Sequence, residues 1–373
     1  MAIPRSHIVD PDTVQVLHVF NRCVRRAFLC GVDSVSGRDY SHRKDWIRQR
    51  LEFLTAIFAF DIATYAVMSN HFHLVVRSRP DIVASWSDEE VAIRNLRLQG
   101  KTWFRSDGTP RQSTAAEIER IVSNPAEVLR LRRKLSDLSS LMFYFDRNLA
   151  NRANQEDEVT GAFWEGTFRA ELIEDEEALL ACMTYVDLNP IRAMLAETLE
   201  ESDYTGAFDR LSELRMQLAT GDLASGECSD ISGRSGNFRG ADPDSLNSST
   251  FGWATLDWER ADHPTIGWLA PIQLDERQVG LDVDECGRRS SRRGFLPIPL
   301  LKYLEIAEWA GRQYRPGKSG SIPSEVPPIL ARLRIDSEAF LNSLQALGGR
   351  DRYFQMTERQ GVPDRRFSVA QSA

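Results

Sequence analysis

His71-Phe72-His73 sets two imidazoles one residue apart inside the run Tyr65-Ala66-Val67-Met68-Ser69-Asn70-His71-Phe72-His73-Leu74-Val75-Val76. Alternate residues of a strand face the same way, so both rings point to one side. Two neutral imidazole nitrogens on one side can bind a divalent metal ion. Six histidines in 373 residues give about 0.1 such pairs by chance. On the tripeptide alone, metal binding and plain strand packing stand level.

A second pair shifts that balance. Tyr185 and Asn189, in Tyr185-Val186-Asp187-Leu188-Asn189-Pro190, are four apart and share a face if the segment is helical. A phenol and a carboxamide then reach the metal site from another element. Pro190 biases Asn189 away from helical angles, which places it at the very end of that helix. Taken singly, Tyr185 reads better as a packed core residue; paired with His71, His73 and Asn189, it reads as part of a site.

The elements that carry these residues follow from local pattern. Val14–Phe20 is β-rich and reads as a first strand. Trp46–Phe60 has apolar residues at helical spacing. Asp61–Met68 and His71–Arg77 read as two strands joined through Ser69-Asn70. Strand, helix and hairpin make the first half of a split β-α-β unit. Residues of about 80–135 look like a polar, basic, helical insertion broken by Gly100, Gly108-Thr109-Pro110 and Asn124-Pro125. Helix resumes over Leu135–Asn151, Ala162–Ile173 is extended, and Glu174-Asp175-Glu176-Glu177 opens a helix whose dipole its four acids complement. That helix runs to about Asn189, where Pro190 interrupts it.

Three domains are expected on this basis: 1–220, an acidic Ser- and Gly-rich linker at 221–286 that is partly disordered, and a small basic helical domain at 287–373. Leu296–Trp309 and Ser337–Leu347 are the predicted helices of the last. Net charge divides along the same lines, at −6, −9 and +7 within a total of −8. Residues 91–134 hold 10 basic against 4 acidic residues. Patches, rather than the sum, make phosphate contacts. The five cysteines contain no Cys-X-X-Cys and read as reduced thiols. No apolar run reaches the ~18 residues of a membrane span, and the first residues carry no signal-peptide core, so a cytoplasmic location is expected.

Four motifs in order carry a resemblance. They are the His-Val of the first strand, Met68-Ser69-Asn70-His71-Phe72-His73-Leu74, Phe163-Trp164-Glu165-Gly166-Thr167-Phe168, and Tyr185-Val186-Asp187-Leu188-Asn189-Pro190-Ile191-Arg192-Ala193. Together they resemble the single-tyrosine HUH transposases, in the branch of the REP-associated tyrosine transposases, over roughly residues 14–200. The run Tyr303–Arg312 resembles the tail of longer members. The resemblance implies an α+β fold, with a ferredoxin-like split β-α-β sheet as HUH nuclease core, carrying the helical insertion and the C-terminal helical domain.

It also implies a mechanism. His71 and His73 match the pair that binds one Mg2+ or Mn2+, with Asn189 as third polar ligand. Tyr185 matches the nucleophile that attacks single-stranded, hairpin-forming DNA, leaving a 5′-phosphotyrosine and a free 3′-OH. A phenol is a weak nucleophile until its site activates it, and a metal on a non-bridging phosphate oxygen offsets charge in the transition state. Homodimers are usual in the family, and nucleoid association follows from DNA binding. Arg169 and Arg192 are candidate phosphate contacts, and Trp164 and Phe168 candidate stacking rings, although both aromatics read somewhat better as core. His18 is either a neighbour of the site or a sheet-packing residue. The insertion and the acidic linker depart from compact, basic family members. Two other readings remain: a domesticated nucleic-acid-binding protein that no longer cuts, and a metal hydrolase, for which further His or Asp ligands are wanting.

Overall fold

The computed structural model describes residues 10–24, 29–33, 36–98, 113–220, 267–274, 283–284 and 287–333, without the side chains of 217–220. Two compact units divide the chain, Met1–Val326 and Pro327–Ala373. The first is mixed α/β, built on a four-stranded antiparallel sheet: β1 (Val16–Arg22), β2 (Phe60–Val67), β3 (His71–Ser78) and β4 (Arg169–Ile173), in the order β2-β3-β1-β4. Helix α1 (Arg43–Thr55) connects β1 to β2, and β2 turns into β3 through Ser69 and Asn70, closed by Met68 N–H donating to the His71 carbonyl at 2.8 Å.

Period two in β1 and β3 separates the faces. Leu17, Val19, Phe72, Leu74 and Val76 are buried in the core with Ile47, Leu51 and Leu54 of α1. Phe145 of α6 (Leu138–Glu156) meets Phe72 edge to face at 5.0 Å, and Trp164 meets the same ring at 5.5 Å. The opposite face carries His18, Phe20 and Arg22 of β1 beside Val75, His73 and His71 of β3.

Between β3 and α6 lie α2 (Pro80–Ser85), α3 (Asp88–Arg97), α4 (Ala115–Val122) and α5 (Pro125–Ser136). Each of the last three starts on a side-chain cap: Ser87 accepts from Glu90 N–H, Thr114 and Glu117 form a capping box, and Asn124 accepts from Glu127 N–H. Their apolar residues, among them Ile82, Val91, Ile121 and Leu131, join the same core as the sheet. The helix expected over 135–151 is α6 and begins at Leu138 rather than Leu135, because the Asp137 carboxylate accepts from Ser140 N–H at 2.7 Å and caps it there, while Leu135 and Ser136 end α5.

After β4, Asp175 accepts from Ala178 N–H at 2.7 Å and starts α7 (Glu176–Asp187), with Glu176 and Glu177 in its first turn. The following turn, α8 (Asn189–Arg192), has Pro190 in its first positions, where no N–H is needed. Then come α9 (Gly206–Thr220) and, past the linker, α10 (Leu300–Arg312). Most of 221–286 and the helix expected at 337–347 lie outside the described residues.

The boundary expected at 286 falls inside the first unit, since residues 287–326 belong to it. A buried carboxylate explains why. Asp61 of β2 is fully buried and accepts from Arg77 at 2.7 Å, from Ser291 N–H at 2.9 Å and from the Ser291 hydroxyl at 2.7 Å. Arg77 also donates to the Gly294 carbonyl at 2.7 Å. A charge taken out of water needs all its hydrogen bonds, so the 290–294 segment is bound to the sheet by β2's own acid. In the second unit, α11 (Ile329–Arg332) is described, its Arg332 donating to the Pro327 carbonyl.

Candidate active site

Strand register assembles the histidines. Phe20 stands opposite His73 and Arg22 opposite His71, while β1 pairs on its other side with β4, Phe20 opposite Arg169 and His18 opposite Glu171. The His18 and His73 rings stack with centroids 5.1 Å apart, and His18 Nε2 lies 3.0 Å from His73 Nδ1. The His71 ring lies 5.0 Å from that of His73, nearly perpendicular, with Nδ1 2.6 Å from the Asn70 side-chain oxygen. His18 is therefore part of this cluster, which the sequence leaves open.

Helix α7 lays Tyr185 across the cluster. Its ring lies 5.7 Å from His73 and 6.4 Å from His18, edge-on to both. Two residues on, Asp187 sets the helix in place. Its fully buried carboxylate accepts from Thr64 of β2 at 2.5 Å, from Ala207 N–H of α9 at 3.0 Å and from the Tyr303 hydroxyl of α10. Burial pushes the Asp187 carboxyl up, and those donors pull against it. Three elements thus fix the rotation of α7, and with it the direction of Tyr185.

The histidines are neutral near pH 7. Burial, then the charges of Arg22 and Lys318, brings His71 down to about 4. Burial, then His71, His18 and Lys318, brings His73 down to about 3. Burial also lowers His18, with Glu171, whose carboxylate lies 3.7 Å from Nδ1, opposing the shift. Between His18 Nε2 and His73 Nδ1 only one nitrogen carries the proton. With it on His73, the His73 Nε2 keeps its lone pair, and that atom is buried without a hydrogen-bond partner. A buried imidazole nitrogen left unpaired suits a cation. Among the described residues, however, no group of three or more His, Cys, Asp or Glu side chains is gathered as a metal centre. The third ligand expected from the sequence is an amide. Asn189 is buried, and its Nδ2 donates to the Tyr185 carbonyl at 3.0 Å, leaving the side-chain oxygen, the atom a metal takes, outside those bonds.

The remaining expected residues divide. Arg169 is exposed on the face of the sheet that carries the histidines. Trp164 is half-buried against Phe72 and Phe163, donating Nε1 to the Asp146 carbonyl at 3.0 Å, and Phe168 is buried, so both sit with the core. Arg192 is also buried; its guanidinium donates to the carbonyls of Gln313 at 3.0 Å, Gly320 at 3.0 Å and Ala310 at 2.7 Å. Sequence reasoning passed over Asp187, Arg315 and Lys318. The Arg315 guanidinium carbon lies 5.1 Å from the Tyr185 ring centroid. Nothing in the local pattern links these positions to the histidines, because their proximity is created by packing of α10 and the turn after it.

No family model matches the chain, and no curated protein matches it. Among solved structures, a REP-associated tyrosine transposase bound to a REP hairpin is similar at 10% identity and a TM-score of 0.33, over 64% of this chain and 100% of that chain. So low a score leaves the site's own geometry to carry the functional reading. No helix among the described residues is long and apolar enough to cross a membrane.

Proposed function

We propose that the protein is a transposase-like DNA strand-transfer enzyme of the single-tyrosine HUH type, acting on single-stranded, hairpin-forming DNA with one divalent metal ion. The observation that carries this reading is the meeting of Tyr185 with the neutral His18, His71 and His73 on one sheet face, where His73 Nε2 is buried and unpartnered. The strand order, with β1 and β2 flanking β3, supports a split β-α-β sheet as its fold.

In this proposal His71, His73 and the Asn189 side-chain oxygen would hold Mg2+ or Mn2+, which would offset the negative charge that builds on the phosphate. Tyr185 forms the new O–P bond as the bond from phosphorus to the 3′ oxygen breaks. The phenolic proton ends on the released 3′-OH, so protons balance and the phosphodiester is exchanged for a phosphotyrosine. A later 3′-OH can reverse the exchange without ATP. His18 keeps the His73 ring oriented, and Asp187 keeps α7 in register with the histidines. A homodimer and a cytoplasmic, nucleoid-associated protein complete the proposal.

The test is a covalent adduct. Labelled hairpin-bearing single-stranded DNA, incubated with protein and Mg2+ or Mn2+, is expected to give a species that survives denaturation and disappears in Tyr185→Phe. DNA binding without adduct or cleavage would instead favour a non-cleaving nucleic-acid-binding protein.

A further inference from the structure

Behind α10, the segment 313–320 is held in place at both ends. Arg192, itself buried, donates to the carbonyls of Gln313 and Gly320, each at 3.0 Å. Gly320 lies so close to α8 that a Cβ there would run into the Ile191 carbonyl oxygen. At the other end, a Cβ on Gly311 would meet Leu188 and Ile322. Between these anchors the chain makes a turn, with Lys318 N–H donating to the Arg315 carbonyl at 3.1 Å and Gly317 at φ +76°. Only a residue without Cβ adopts that angle at little cost.

The turn carries its side chains to the site. Arg315 lies over the Tyr185 ring at 5.1 Å, and Lys318 closes the same turn, its N–H donating to the Arg315 carbonyl. Both cations are exposed, and neither makes a salt bridge with a described residue. Tyr314, which precedes Arg315 in the chain, is 84% exposed. Leaving a large ring in water and two cations unneutralised gains nothing for folding. A ligand with alternating flat apolar rings and anionic links matches both features, and single-stranded nucleic acid is such a ligand. A small anion would satisfy Arg315 and Lys318 but leave Tyr314 without a role.

We propose that Tyr314, Arg315 and Lys318 form a strand-binding strip, which stacks one base and holds the phosphates that lead a single strand to Tyr185. The proposal rests on the strand-transfer reading of Tyr185. Arg192, spent on the backbone, is the positioning residue that presents the strip.

The experiment uses the full chain with Tyr185→Phe, which blocks the chemistry, and a fluorescein-labelled oligothymidylate read by anisotropy over a range of salt concentrations. Each lost phosphate contact lowers the slope of log affinity against log salt by about 0.7 for single strands, so adding Arg315→Gln with Lys318→Gln should lower it by about 1.4. Adding Tyr314→Ala should weaken binding about tenfold, from a stacking contribution of about 1–3 kcal/mol per base. All three side chains are exposed, so unchanged thermal unfolding is expected and serves as the folding control. Unchanged slope and affinity, or no measurable binding by the parent, would overturn the strip. An adduct in wild type with unchanged strip variants removes the strip alone. Lost affinity in the variants with no wild-type adduct on any hairpin substrate removes the strand-transfer reading alone.

Discussion

Replacing Asp146 by asparagine should make the protein relatively more stable as pH rises. Asp146 lies on α6 under the sheet, where Asn21 donates to its Oδ2 at 2.9 Å while Oδ1 is buried without a partner. Burial pushes the carboxyl from its ordinary value near 3.8 up to about 7, the Asn21 hydrogen bond only partly opposing it. The unfolded chain releases this proton from about pH 4, whereas the folded protein keeps it to about 7. Over that interval the unfolded state binds fewer protons, so folding stability falls as pH rises. A tenfold change in proton affinity is worth about 1.4 kcal/mol. The penalty is therefore about 2 kcal/mol at pH 5 and about 4 kcal/mol at pH 8, and absent well below pH 4. Asparagine does not titrate. Whatever constant cost its own NH2 brings to the Oδ1 position cancels when the two pH values are compared. Urea unfolding of wild type and Asp146→Asn at pH 5 and pH 8 measures the difference, which should move in favour of the variant by about 2 kcal/mol. A difference constant within about half a kcal/mol would refute the view that burial holds this carboxyl protonated.

Two further outcomes follow from the supports of α7 and of the 313–320 segment. Tyr303→Phe takes one donor from the fully buried Asp187 carboxylate and should cost about 1–3 kcal/mol in urea unfolding, with a double mutant carrying Asp187→Asn less than additive. Arg192→Gln should weaken oligothymidylate binding and lower its salt slope as much as the Arg315→Gln, Lys318→Gln pair does, although Arg192 is buried; an unchanged slope would show that the turn keeps its place without that guanidinium.

How much of this was readable beforehand depended on range. The β2–β3 hairpin, the shared side of His71 and His73, and the α7 start at Asp175 are set by residues within a few positions of each other, so alternation and capping chemistry reveal them. The break between α5 and α6 is equally local, but the Asp137 cap is hidden in a run whose apolar spacing continues through it. Asn189 lies past the end of α7, as Pro190 suggests, but opens the helical turn α8, and the return of its amide nitrogen to the Tyr185 carbonyl is a detail of side-chain rotation that spacing leaves open. Trp164 and Phe168 face inward because β4 and its approach pack on the core side, and aromatic type alone does not distinguish a stacking platform from a core ring.

By itself the sequence determined the chemistry on offer: paired imidazoles on a strand, a tyrosine and an amide one helical turn apart, and the elements that carry them. These are properties of periods of two and of 3.6, which act over neighbouring residues. Only the tertiary structure decided that His18 stacks on His73, that Asp187 ties α7 to β2, α9 and α10, and that Arg315 lies over Tyr185. Those contacts depend on strand register and on burial of charges between distant segments. Taking the Asp187 carboxylate out of water costs free energy that donors from β2, α9 and α10 together offset, and no single segment could supply them all.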